Sequence, residues 1–134
     1  MGKKILVADD EASIAESVRD ILESRGYRVN IVSNGKKALE AYRNALAKEP
    51  YDLILLDIVM PQMSGLEVLT AIRDHENKRQ APPEKRVPVI MLSGLGDTWP
   101  QDAFADGASD YIIKPYETKF LMRKIEKMAG KGTG

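Results

Sequence analysis

Five residues of this chain could together do phosphoryl chemistry if the fold gathers them: Asp9, Asp10, Asp57, Ser93 and Lys114. A carboxylate can serve as a nucleophile and carry a phosphoryl group as an aspartyl phosphate. Asp57 is the candidate for that role. Three carboxylates brought close would repel one another, and loss of water would add to the cost. A divalent cation relieves both. Few protein ligands, all of them oxygen, with room left for water and phosphate, describe a Mg²⁺ site better than a Ca²⁺ cage. Lys114 offers a mobile positive charge to one phosphate oxygen, and the Ser93 hydroxyl can donate to another. In-line phosphoryl transfer needs mainly positioning and charge neutralisation, and this set can supply both.

Taken singly, each residue has a plainer reading. Asp10 suits a helix N-cap. Asp57 and Ser93-Gly94 suit turns, and Lys114-Pro115 suits the end of a strand. The elements decide, because they set whether the five meet. Ile5 to Ala8 is a short apolar run that ends on Asp9-Asp10. Ile14, Val18, Ile21 and Leu22 form a helical stripe, closed by Gly26 as a C-cap. Arg28 to Val32 reads as a strand, Ser33-Asn34-Gly35 as a turn, and Ala38, Leu39, Tyr42 and Leu46 as a helix stopped near Pro50. Leu53 to Leu56 is the most apolar strand, hence central, and Asp57 ends it. Leu66, Leu69 and Ile72 mark a third helix. The polar stretch 77–86, with Pro82-Pro83, reads as a solvated surface loop, and one that could contact a partner. Val89 to Leu92 forms a strand ending on Ser93, followed by a short helix over roughly 100–106. Tyr111 to Ile113 is the fifth strand, ending on Lys114. Phe120, Leu121, Lys124, Ile125 and Met128 form the last helix.

That order is (βα)₅ in one domain, residues 1–129, with a loose tail at 130–134. Apolar strands separated by helices imply a doubly wound α/β fold, a parallel five-stranded sheet covered on both faces. Such sheets bind ligands outside the carboxyl ends of their strands. All five chemical residues fall at those ends, so the joint pattern outweighs the separate plain readings.

Bulk properties narrow the function classes. Zero formal net charge gives no reason to expect nucleic acid or an anionic membrane as partner. No apolar run is long enough to cross a bilayer, and the short run before Asp9-Asp10 makes a signal peptide unexpected. The absence of cysteine fits a cytoplasmic location and excludes thiol chemistry. His75, the single histidine, lies in a polar stretch and reads as solvated surface, so a histidine-based catalytic site has no support.

The chain resembles the response regulator receiver family of two-component signalling, which has a chemotaxis-regulator-like fold. The resemblance is carried by Ile5-Leu6-Val7-Ala8-Asp9-Asp10-Glu11, by Leu53 through Pro61 with Gly65 after it, by Pro88 through Gly94, and by Gly107 through Pro115. It implies strand order 2-1-3-4-5 and Asp57 as phosphoacceptor. It also implies Mg²⁺ held by Asp9, Asp10, Asp57 and the backbone carbonyl of Val59. Ser93 and Lys114 would bind the phosphoryl group, and Tyr111 would be the aromatic that turns inward on switching. A cis bond before Pro115 is implied too. The domain would act as a phosphoacceptor that catalyses its own phosphorylation and slow dephosphorylation, rather than as a conventional enzyme. Its donor would be a histidine kinase or a histidine phosphotransfer protein. Phosphorylation would remodel the face formed by the fourth helix, fifth strand and fifth helix.

Two rivals are weighed. A haloacid-dehalogenase-type phosphatase wants a second aspartate where Val59 stands. A degenerate receiver, acting as a phosphorylation-independent interaction module, would usually lack the acidic pair, the acceptor or the lysine, and all are present here. One expectation concerns rate. Val59 and Leu95, two residues past Asp57 and Ser93, should border the route of an attacking water. Neither can orient it, so the phosphoryl group should persist.

Overall fold

The computed structural model describes residues 2–94, 107–130 and 132. The elements run β1 (Lys4–Ala8), α1 (Ala12–Ser24), β2 (Arg28–Val32), α2 (Gly35–Leu46), β3 (Leu53–Asp57), α3 (Gly65–Lys78), a 3₁₀ turn at Pro83–Lys85, β4 (Val89–Ser93), β5 (Asp110–Ile113) and α4 (Thr118–Ala129). Helix α4 is therefore the one read as fifth in the sequence. The short helix expected at 100–106, and Leu95, lie outside the described residues.

All strand pairs are parallel, in the order β2-β1-β3-β4-β5, as expected. Every residue of β3 is buried because the strand has a neighbour on each side and helices on each face. Side chains alternate between two cores, as the period of a strand requires. Leu6, Ile54, Leu56 and Met91 face α2 and α3, meeting Ala38, Tyr42, Leu69 and Ile72. Ile5, Val7, Leu53, Leu55, Leu92 and Ile112 face α1 and α4, meeting Val18, Leu22, Leu121 and Ile125. Two-sided burial explains why these strands read as apolar runs rather than alternating ones. Truncating Leu55 to alanine would cost about 2–5 kcal/mol.

Local signals set the helix ends. Helix α1 ends as a Schellman motif. Gly26, at φ 90°, donates to Glu23, and Tyr27 donates to Leu22 at 3.1 Å. Asn34 caps α2, accepting the Lys37 N–H at 2.8 Å. Ser64 and Glu67 form a capping box on α3. The N-cap position of α1 is Glu11, not Asp10, so Asp10 is free of that duty.

Two stretches differ from their expected character. The 77–86 stretch is not a plain solvated loop. Helix α3 runs to Lys78, Ala81 is buried, and Arg86 reaches back to donate to the Ala81 carbonyl and to Asn77 Oδ1. The amides of Gln80, Ala81, Lys85 and Arg86 donate to nearby backbone carbonyls, and Arg86 meets the Ala81 carbonyl, which is how the connection holds a fixed shape. In the stretch read as a loose tail, the Gly130 carbonyl accepts the Tyr27 hydroxyl at 2.6 Å. The Gly132 carbonyl accepts the Lys3 N–H at 3.1 Å. No helix among the described residues is long and apolar enough to cross a membrane.

Candidate functional site

Strand register builds the site. Ala8 pairs with Leu56, so Asp9 and Asp57 come next on adjacent strands. Asp57 pairs with Leu92, so Ser93 stands one residue beyond it. Ser93 pairs with Ile113, so Lys114 stands one beyond again. The four strands β1, β3, β4 and β5 thus deliver Asp9, Asp57, Ser93 and Lys114 to one edge.

Asp9 and Asp57 are buried, whereas Asp10 is exposed. One carboxylate oxygen from each of the three lies within 4.8 Å of the others. Lys114 Nζ donates to Asp57 Oδ2 at 3.0 Å and to Asp9 Oδ2 at 3.3 Å. The other oxygen of Asp9 accepts the Glu11 N–H at 2.9 Å, which fixes the carboxylate's direction. Gly65 lies so close to the Asp57 carbonyl that any Cβ there would collide with it, and its N–H donates to Ile58 at 2.8 Å. That contact seats the loop carrying Val59. A cleft of about 430 Å³ opens at this edge, lined by Asp10, Glu11, Asp57, Val59, Gly94 and Lys114. A larger cavity of about 1070 Å³ sits at the opposite end of the sheet, between the ends of α2 and α3 and the 79–88 connection, away from this chemistry.

The electrostatics follow from crowding. Burial pushes the Asp57 carboxyl up to about 6; Lys114 opposes that and Asp9 adds to it. For Lys114, burial works to lower the pKa, but Asp57 and Asp9 outweigh it and the ammonium is held above its usual range. The donor set is all oxygen and excess negative, with a single ammonium against three carboxylates. That suits a small hard divalent cation with water in its remaining positions.

The other expected residues fall as follows. Ser93 is buried at the end of β4. Val59 borders the cleft and is 62% exposed. Tyr111 is half-buried against the α2–α3 core. The Lys114–Pro115 bond is cis. His75 is not plain solvated surface. It is half-buried and meets the Tyr42 ring edge-on at 5.8 Å.

Sequence reading missed a buried ion pair, Arg73 with Glu76, at 2.7 Å. Its signal was present: Glu76 continues the buried stripe of Leu69 and Ile72, an apolar position filled by a charge.

Comparison with known proteins agrees with this geometry. The sequence profile of the response regulator receiver domain matches residues 5–126. The transcriptional regulatory protein SrrA of Staphylococcus aureus is 33% identical over 129 residues, covering 96% of this chain and 48% of SrrA. The chain thus spans about half the length of the curated relatives it matches. Among solved structures, the receiver domain of the sensor histidine kinase PA1611 from Pseudomonas aeruginosa PAO1 is 29% identical, with a TM-score of 0.79 over 98% of this chain and all of that one. That domain was crystallised with a magnesium ion coordinated in its active site cleft. The Francisella response regulator 1452 receiver domain is 28% identical, with a TM-score of 0.77, covering 95% of this chain and 96% of its own. A profile matched along nearly the whole length, on a sheet of order 2-1-3-4-5 with its acidic cluster at the carboxyl edge, places this chain in the response regulator receiver domain family.

Proposed function

We propose that residues 1–129 work as a phosphoacceptor unit in which Asp57 takes a phosphoryl group from a phosphohistidine. The observation that carries this is the convergence of Lys114, from β5, on Asp57 and Asp9, from β3 and β1, across the intervening strand β4. An Asp57 oxygen attacks phosphorus, an O–P bond forms, and the N–P bond to the donor imidazole breaks. Asp57 must be ionised to attack. Its position beside the Lys114 ammonium favours that form, while burial opposes it.

Asp9, Asp10, Asp57 and the Val59 carbonyl would hold Mg²⁺, a reading supported by the oxygen-only cluster. When bound, the ion neutralises charge on the transferring phosphoryl group. Lys114 and Ser93 then take the phosphoryl oxygens, and Lys114 gives up part of its contact with Asp9. Tyr111 repacks, and the surface of β5 and α4 changes. Such a two-state shift needs contacts that differ between the states, and the new phosphoryl oxygens supply them. The domain thereby promotes its own phosphorylation, and with Val59 at the mouth of the cleft it dephosphorylates slowly. A histidine kinase or histidine phosphotransfer protein of the cytoplasm is the donor.

Incubation with Mg²⁺ and acetyl phosphate tests the reading by intact-mass measurement. One phosphoryl adduct is expected, lost in Asp57→Asn and in the presence of chelator. No adduct, or one that survives Asp57→Asn, sinks the proposal.

A further inference from the structure

The Arg73–Glu76 pair has no part in the phosphoryl site, yet it is a buried charge pair bonded to the backbone ahead of two strands. Glu76 is wholly buried. One of its oxygens accepts from Arg73 Nη1 at 2.7 Å and the other from the Val87 N–H at 2.8 Å. Arg73 then spreads its guanidinium over two further carbonyls. Nη1 donates to Val87 at 2.8 Å, just before β4, and Nε donates to Gly107 at 2.9 Å, just before β5. Gly107 has φ 104°, and a Cβ there would stand 2.9 Å from Arg73 Cγ, so the backbone lies flat on this side chain. A rigid planar fork is the group that can bridge three acceptors at once.

This clamp holds one end of a strand whose other end is at the phosphoryl site. Among the described residues, strand β5 is an edge strand, bonded to β4 alone. Its start is stitched a second time by Ser109, whose N–H donates to Val89 at 2.8 Å and whose hydroxyl accepts the Val89 N–H at 3.1 Å. Its far end carries Lys114, whose N–H donates to Ser93 at 2.6 Å. Between the two lies Tyr111. An edge strand with one partner can slip or peel when pulled from one end. Anchored at its start, it instead has to absorb the pull within its four residues.

We propose that Arg73, locked by Glu76, is a positioning residue for the switch: it fixes the start of β5 so that movement of Lys114 and Ser93 is converted into repacking of Tyr111. This rests on the switching role proposed above for Ser93, Lys114 and Tyr111.

The test is amide hydrogen exchange over residues 107–116, with and without acetyl phosphate and Mg²⁺, in the wild type and in Arg73→Lys. Lysine keeps the charge beside Glu76 but cannot span all three acceptors. Phosphorylation by intact mass should be unchanged. Exchange at 108–111 in the unphosphorylated variant should rise about tenfold, as loss of one or two buried bonds allows. Amides of β1 and β3 should keep their protection, which separates local release from global destabilisation. The phosphorylation-dependent difference at 110–113 should be lost. Should Arg73→Lys fold poorly, the double variant Arg73→Met/Glu76→Gln removes both charges together while keeping an acceptor for the Val87 N–H, and is read in the same way. Wild-type exchange and a wild-type phosphorylation response in the variant would overturn this inference alone. A wild-type protein that shows no phosphorylation-dependent change at 107–116 would overturn the switching role and this inference with it.

Discussion

The Lys114 ammonium stands 3.0 Å from Asp57 Oδ2 and closes the gap to Asp9 on the far side. It thus occupies the charge-balancing position that a divalent cation would share. Two competitors for the same carboxylates set up a linkage. In Arg- or Lys-paired buried sites, removing the cation leaves uncompensated charge, at a cost of about 3–5 kcal/mol before protonation relieves it. Lys114→Met should therefore lower the thermal midpoint of the metal-free protein. Mg²⁺ should then raise the midpoint of the variant by more than it raises that of the wild type. Thermal unfolding with and without Mg²⁺ measures both shifts, and a smaller Mg²⁺ response in the variant would contradict this account.

The raised pKa of Asp57 gives a pH dependence with a definite sign. In the metal-free native state the carboxyl, lifted chiefly by burial, takes up its proton at about 6. In the unfolded chain it does so near 4, about the unperturbed aspartate value. Between those values the native state binds more protons than the unfolded one, so stability contributed by Asp57 falls as pH rises from about 4 to 6 and levels off above. Other carboxylates slope differently, so the observable is the difference between the wild type and Asp57→Asn. In chelator, urea unfolding from pH 4 to 7 should show the variant gaining on the wild type through that window and exceeding it at pH 7. A constant difference would mean that Asp57 is not desolvated as described.

How much of this was legible in the sequence depends on whether a signal was local. The edge residues Asp9, Asp57, Ser93 and Lys114 were readable because a two-sided parallel sheet makes the inner strands β1, β3 and β4 near-continuous apolar runs, with Tyr111-Ile112-Ile113 a shorter one, and the polar residue ending each run stands out. Strand order was not readable from the residues; it came from the resemblance. The 77–86 stretch misled because its polarity suggested solvent, whereas Arg86 bonds inward to Ala81 and Asn77. His75 misled for the same reason, since its neighbour Tyr42 is distant in sequence. Glu76 was passed over although it sits on the buried stripe of α3, because a charge in an apolar position can be placed only when its partners at Val87 and Arg73 are known in space.

Glu76 is also where a single substitution should be most damaging away from the site. Glu76→Ala strips Arg73 of its carboxylate and leaves the Val87 N–H without an acceptor. A loss of about 3–5 kcal/mol is expected from breaking a buried pair on one side. Denaturant unfolding of Glu76→Ala and of the isosteric Glu76→Gln reads this directly. Glutamine can still accept one bond and should recover part of the loss. Equal stability of all three proteins would mean that the pair is energetically idle.

Val59 carries the last prediction. It borders the cleft beside Asp57 and is 62% exposed, so its side chain stands where water approaches rather than in the core. Its N–H lies 3.4 Å from Asp57 Oδ1, which ties the residue's position to the acceptor. Hydrolysis of the acyl phosphate needs a water aligned opposite the Asp57 oxygen, and an apolar side chain offers it neither a donor nor an acceptor. Val59→Asn or Val59→Gln should accelerate loss of the phosphoryl group by about tenfold, below the 10²–10⁴ typical of full acid–base assistance, because an amide orients water without taking its proton. The half-life of the phosphorylated protein in excess chelator-free buffer, followed by intact mass, gives the comparison. A wild-type half-life of seconds, unchanged by these substitutions, would show that Val59 does not limit access. Since the substituted side chain is exposed, neither variant should alter stability by more than about 0.5 kcal/mol, so a change in half-life can be assigned to the water and not to the fold.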